Sequence, residues 1–75
     1  MYQLKVYKKN PSQFGEEYLY SFSKDFKSLE TLKNWVLNYL DVCDIYEEEI
    51  LQEFDFRNYA IFENELFDIN NFYNN

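Results

Sequence analysis

From Leu29 onward, apolar residues recur at positions 29, 32, 35, 36, 39, 40 and 43. That spacing follows the 3.6-residue turn of an α-helix and gathers these side chains on one arc. Glu30, Asn34, Asn38 and Asp41 hold the other side, and Leu37 falls among them, where exposure is expected. Ser28 is placed to cap the helix, and Glu30 lies in the first turn, where a carboxylate complements the helix dipole. A helix with such a stripe must bury it against a second layer, so the rest of the chain has to supply one.

The flanking segments supply it as sheet. Tyr2, Leu4 and Val6 alternate with Gln3, Lys5 and Tyr7, the pattern of a half-buried strand over residues 2–8. "NPSQFGEE" holds the only proline and the only glycine, so the chain turns there. Tyr18, Tyr20 and Phe22 then alternate with Leu19 and Ser21, which completes a hairpin. Residues 59–69, "YAIFENELFDI", read as a second hairpin around "EN", with Asn64 able to take positive φ in the turn. Residues 71–75 are expected to fray.

Between helix and second hairpin lies "DIYEEEILQEFDF", with six acids in thirteen positions and no cation. As a strand it would put Glu48 and Gln52 on the same face as Tyr46, Ile50 and Phe54. As a helix over residues 45–54 it brings Tyr46, Ile50, Leu51 and Phe54 onto one arc and sends Glu48, Glu49, Gln52 and Glu53 to solvent. Glu47 falls inside the apolar arc, and a capping box with Asp44 as N-cap explains it. The helical reading is favoured. The fold class is therefore α+β: a four-stranded antiparallel sheet of two hairpins, one main helix and a second short helix, in the order β-β-α-α-β-β.

Residues 1–75 read as one small domain. A chain this short buries only about 60 % of the surface its unfolded form exposes, so it needs a rich core. Aromatic residues make up 23 % of the chain and provide one. No stretch has the apolar length of a signal peptide core or a membrane span. With no membrane segment and a lone Cys43 that cannot form an internal disulfide, a cytoplasmic setting is expected. Heavy use of Asn, Lys, Ile, Tyr and Phe points to an AT-rich genome.

Little catalytic chemistry is on offer. The chain has no histidine, which removes the commonest general base and a common metal ligand. Cys43 continues the apolar arc of the main helix and is expected to be a buried structural thiol. There is no glycine-rich phosphate loop, no zinc spacing and no calcium-loop glycine. Paired carboxylates can serve glycoside hydrolysis, but so small a domain leaves little room for a cleft. The expectation is a protein without enzymatic activity, cofactor or metal.

Charge is distributed unevenly. Residues 1–40 carry six Lys and four acids, residues 41–75 one Arg and ten acids, so the net charge of −7 belongs to the second half. Phosphate binding needs clustered cations, which argues against nucleic acid as a direct ligand. The plain explanation is an acidic coat that keeps an aromatic-rich protein in solution. Two features argue for more: the signs are segregated, and the acids come with Tyr46, Phe67 and Tyr73, aromatics of the kind that supply contact area at interfaces. Acids four apart on a helix are about 6 Å apart, and alternate strand acids about 6.6 Å. DNA phosphates rise about 3.4 Å per nucleotide along each strand, and winding makes the through-space gap roughly twice that. A face combining Glu49 and Glu53 with Glu63, Glu65 and Asp68 can thus imitate a phosphate track, and with Asp44, Glu48, Asp55 and Tyr46 these acids are the candidate partner-binding residues.

In this overall character, and in "DIYEEEILQEFDF", the chain resembles small phage-encoded inhibitors of bacterial immunity, the anti-CRISPR and anti-restriction proteins of DNA-mimic type. The resemblance implies a monomer or small homo-oligomer in the host bacterial cytoplasm. Its partner would be a basic nucleic-acid-binding protein, such as a CRISPR effector or restriction enzyme, whose nucleic-acid channel it occupies. Two alternatives stand beside it: an antitoxin or regulator of host transcription, and a self-assembling structural protein in which Lys5, Lys8 and Lys9 of one copy meet the acids of another.

Overall fold

The computed structural model describes residues 1–12 and 15–71. In chain order the elements are β1 (Tyr2–Ser12), β2 (Gly15–Phe26), α1 (Leu29–Leu40), α2 (Asp44–Arg57), β3 (Tyr59–Phe62) and β4 (Glu65–Asn71). The strands form an antiparallel sheet in the order β2-β1-β4-β3, with the first and last strands at its centre. Both helices cover one face, and the other face is open. The architecture is the expected α+β.

The alternation in β1 decides which face is covered. Leu4 and Val6 point to the helices and are fully buried with Phe67 of β4, Ala60 of β3, Leu32 and Val36 of α1, and Ile50 and Phe54 of α2. Trp35 and Tyr39 stack at 5.1 Å along α1 and reach down to Phe22 and Phe67. Phe67 had the look of an interface aromatic in the sequence. It is instead the largest fully buried side chain, because β4 is central and register sets Phe67 beside Val6 and Ala60. Tyr73 lies outside the described residues.

Several local readings change. The first hairpin is longer than expected: β1 runs to Ser12, which pairs with Gly15, and Gly15 takes a φ of 126° that side-chain-bearing residues rarely adopt. A bulge between Val6 and Tyr7 leaves Ser21 as an extra residue in β2. Phe22 therefore pairs with Val6 on the helix side, while Tyr20 pairs with Tyr7 and faces the open side. Tyr18, Tyr20 and Phe22 therefore do not share a face. In the second hairpin, Glu63 rather than Asn64 takes the positive φ, 57°. Asn71 is not frayed but pairs with Tyr2.

Helix α1 starts as expected, with the Ser28 hydroxyl accepting from the Thr31 N–H at 3.2 Å. It stops three residues short of Cys43, because Asp41 adopts the left-handed conformation (φ 50°) and donates its N–H to the Leu37 carbonyl. Leu37 is half-buried against the core rather than exposed. Cys43 becomes the N-cap of α2 and is exposed, so the buried-thiol expectation fails. A thiol reagent should label it in the native protein nearly as fast as in denaturant; protection by orders of magnitude would restore the buried assignment. The capping box also fails, since Asp44 is already inside the helix and no side chain caps it. Helix α2 spans 14 residues against 12 for α1, so it is not the shorter one.

Candidate functional site

The inward arc of α2 carries Ile50 and Phe54, each 2 % exposed, with Leu51 and Glu47 half-buried beside them. Its outward line carries Ile45, Glu49, Gln52 and Phe56, at spacings of four, three and four residues. Side chains so spaced lie one above another on a helix. Glu48 and Asp55 flank this line on one side and Glu53 on the other. Ile45 is 77 % exposed and Phe56 is 91 % exposed. Two large apolar side chains thus stand in water at either end of an acidic ridge.

The acids of the ridge are not equivalent. Glu53 accepts a hydrogen bond from Arg57 at 2.8 Å, one helical turn on, and Asp55 pairs with Lys33 of α1 at 2.6 Å. Asp44, Glu48 and Glu49 are exposed and form no ion pair within the described residues. The uncompensated charge therefore concentrates in the first two turns of α2, around Ile45. There, carboxylates also sit well in the positive end of the helix dipole. Arg57 in the last turn complements the other end.

The remaining acids of the anticipated track are elsewhere. Glu63 is at the tip of the β3–β4 turn. Glu65 lies on the helix side of the sheet, where its carboxylate accepts the Tyr39 hydroxyl at 2.8 Å. Asp68 lies on the open side, in register with Lys5 and Tyr59. The sheet stands between Asp68 and α2, so no one face carries all the candidate residues. Tyr46 is close to the ridge but not on it: its ring meets Phe62 edge-on at 5.6 Å and stays 47 % exposed. The residues that sequence reasoning missed are Ile45 and Phe56, although the i, i+4, i+7, i+11 spacing that aligns them with Glu49 and Gln52 was visible.

The Glu65 contact raises the Tyr39 pKa above its ordinary value of 10.0, first through this hydrogen bond, then through burial and the carboxylate's charge. Because the folded-state pKa is the higher one, the bond's contribution to stability is complete below the ordinary tyrosine range. It is lost as pH rises through the raised value. Tyrosine ring resonances followed by NMR should show Tyr39 ionising above the ordinary tyrosine range. Glu65→Gln should bring it back toward that range, and an unmoved titration would refute the contact.

Among the described residues, no group of three or more His, Cys, Asp or Glu is arranged to hold a metal ion, and no helix is long and apolar enough to cross a membrane. Comparison with known proteins gives no matching family model, no matching curated protein and no matching solved structure.

Proposed function

We propose that this chain is a non-catalytic binding protein that docks the outward ridge of α2 onto a basic surface of a nucleic-acid-handling protein and thereby blocks that surface. One observation carries the reading: Ile45 and Phe56 stand exposed in line with Glu49, with uncompensated Glu48 alongside. An acidic coat that served solubility alone gains nothing from two exposed apolar anchors, which oppose it. Anchors of this kind, surrounded by charge, are how protein interfaces concentrate binding energy, and the charge itself speeds encounter with a basic partner. The acids that bear on this are Asp44, Glu48 and Glu49, with Glu53 and Asp55 already partly neutralised within the fold. Imitation of a phosphate track plays a smaller part than the sequence suggests, because Glu65 is turned to Tyr39 and Asp68 lies on the open side of the sheet.

Glu48→Lys with Glu49→Lys tests the proposal. Both side chains are exposed, so the melting temperature should change little. Nucleic-acid-binding proteins from a bacterial lysate, enriched on heparin, should yield a protein that the wild type captures and strips of its nucleic acid. The doubly reversed variant should capture none of it. Identical capture by both forms, or a captured protein that keeps its nucleic acid, would overturn the reading.

A further inference from the structure

The face of the sheet that the helices leave open carries its own feature. Tyr18 of β2, Tyr7 of β1, Leu66 and Asp68 of β4 and Tyr59 of β3 line a concavity of about 360 Å³. Every strand contributes to it, because strand parity sends these residues to the open side and the Ser21 bulge keeps β2 in phase. We propose that this concavity binds an alkylammonium group, with the three tyrosine rings as its walls and the Asp68 carboxylate as its counter-charge.

Tyrosine rings present a negative π-face, and a cation within about 6 Å of the ring centre is attracted to it. The fold already uses Tyr59 in this way, holding the Arg57 guanidinium 4.5 Å from the ring centre. Tyr7 is held by an edge-on contact with Tyr20 at 6.0 Å, so its ring is oriented before any ligand arrives. Asp68 is half-buried, and its hydrogen bond in the fold is a long one, 3.4 Å from the Asn70 amide. Lys5 is its neighbour in register, yet no ion pair joins them. A half-buried carboxylate among aromatic rings, with no ion pair among the described residues, is the complement of a soft organic cation. The net charge of −7 draws such a ligand in. Single-stranded nucleic acid also stacks on aromatic rings. Here it would set its phosphates near Asp68 on a strongly acidic protein, so the cation is the better match. The proposal does not rest on the α2 ridge, although Arg57 links the two by pairing with Glu53 and lying over Tyr59.

The test is an NMR titration of the intact protein with choline and with 3,3-dimethylbutan-1-ol, its neutral carbon isostere. Choline should perturb Tyr7, Tyr18, Tyr59, Leu66 and Asp68 saturably, and the neutral isostere should bind about tenfold more weakly. Asp68→Asn should cost choline about tenfold in affinity without a change in melting temperature. Tyr18→Leu, on an edge strand, should cost several-fold and serves if Asp68→Asn does not fold. Short peptides bearing lysine or trimethyllysine distinguish the source: tighter binding than choline assigns the site to a side chain, weaker binding to a free amine. Equal binding of the neutral isostere, or indifference to both substitutions, overturns the proposal. An oligothymidylate whose binding tightens in Asp68→Asn overturns it in favour of a base-stacking surface.

Discussion

Phe67→Ala should remove most of the stability of this domain. Phe67 is fully buried at the centre of the sheet, against Val6, Ala60 and the edge of Tyr39. Truncating such a ring loses its transfer free energy and leaves a cavity, together about 3–5 kcal/mol. A domain of this length has roughly 4–11 kcal/mol to lose, at about 0.05–0.15 kcal/mol per residue. At about 4–8 °C per kcal/mol, the midpoint should fall by roughly 12–40 °C. Neighbouring residues cannot easily fill the space, since β1 and β4 are held on both sides by ladder hydrogen bonds. A denaturant melt showing less than about 1 kcal/mol of loss would mean that Phe67 is not in the core.

Phe56→Ala should do the opposite. With 91 % of its surface in water, Phe56 contributes almost nothing to folding, and its removal should shift stability by no more than about 0.5 kcal/mol. If the ridge is an interface, the same truncation should cost the complex 2 kcal/mol or more, about 30-fold in affinity, as removal of an aromatic anchor does. The loss should appear mainly as faster dissociation, whereas Glu48→Gln with Glu49→Gln should slow association and flatten the salt dependence. A variant that binds with wild-type affinity would leave Phe56 without a role at the interface. Phe67 and Phe56, eleven residues apart in sequence, thus have opposite surroundings, one in the core and one in water.

How far these assignments could be read in advance depends on the kind of signal. Alternation in residues 2–8 and the helical period from Leu29 are direct images of burial, and both located their elements correctly. The end of α1 was not legible, because the apolar period continues to Cys43 while a single left-handed residue, Asp41, ends the helix before it. The Ser21 bulge was hidden too: Tyr18, Tyr20 and Phe22 alternate perfectly in sequence, and only the register against β1 shows that one extra residue moves Phe22 to the other face. The dispersal of the acids was partly visible, since Glu65 and Asp68 differ in strand parity and cannot share a face. That Glu65 faces Tyr39 was not, because it depends on where α1 crosses the sheet. The chemistry of the open face required the full strand order, which brings Tyr18 and Tyr59 from opposite edges to the same concavity.

The pairing of β1 with β4 also sets the timing of biosynthesis. Tyr2 is the register partner of Asn71, so nearly the whole described length must be synthesised before the two central strands can meet. Until then the only elements a nascent chain can form are the β1–β2 hairpin and the two helices, with Leu4 and Val6 lacking the strand that flanks them. At about 5–20 residues per second the wait is several seconds, long compared with hairpin and helix formation. During that interval the inner edge of β1 is an open template for strand pairing, the hazard that the finished sheet removes by placing β1 in the middle. Polysome-bound chains arrested before Glu65 should accordingly be the form of this protein most dependent on chaperones.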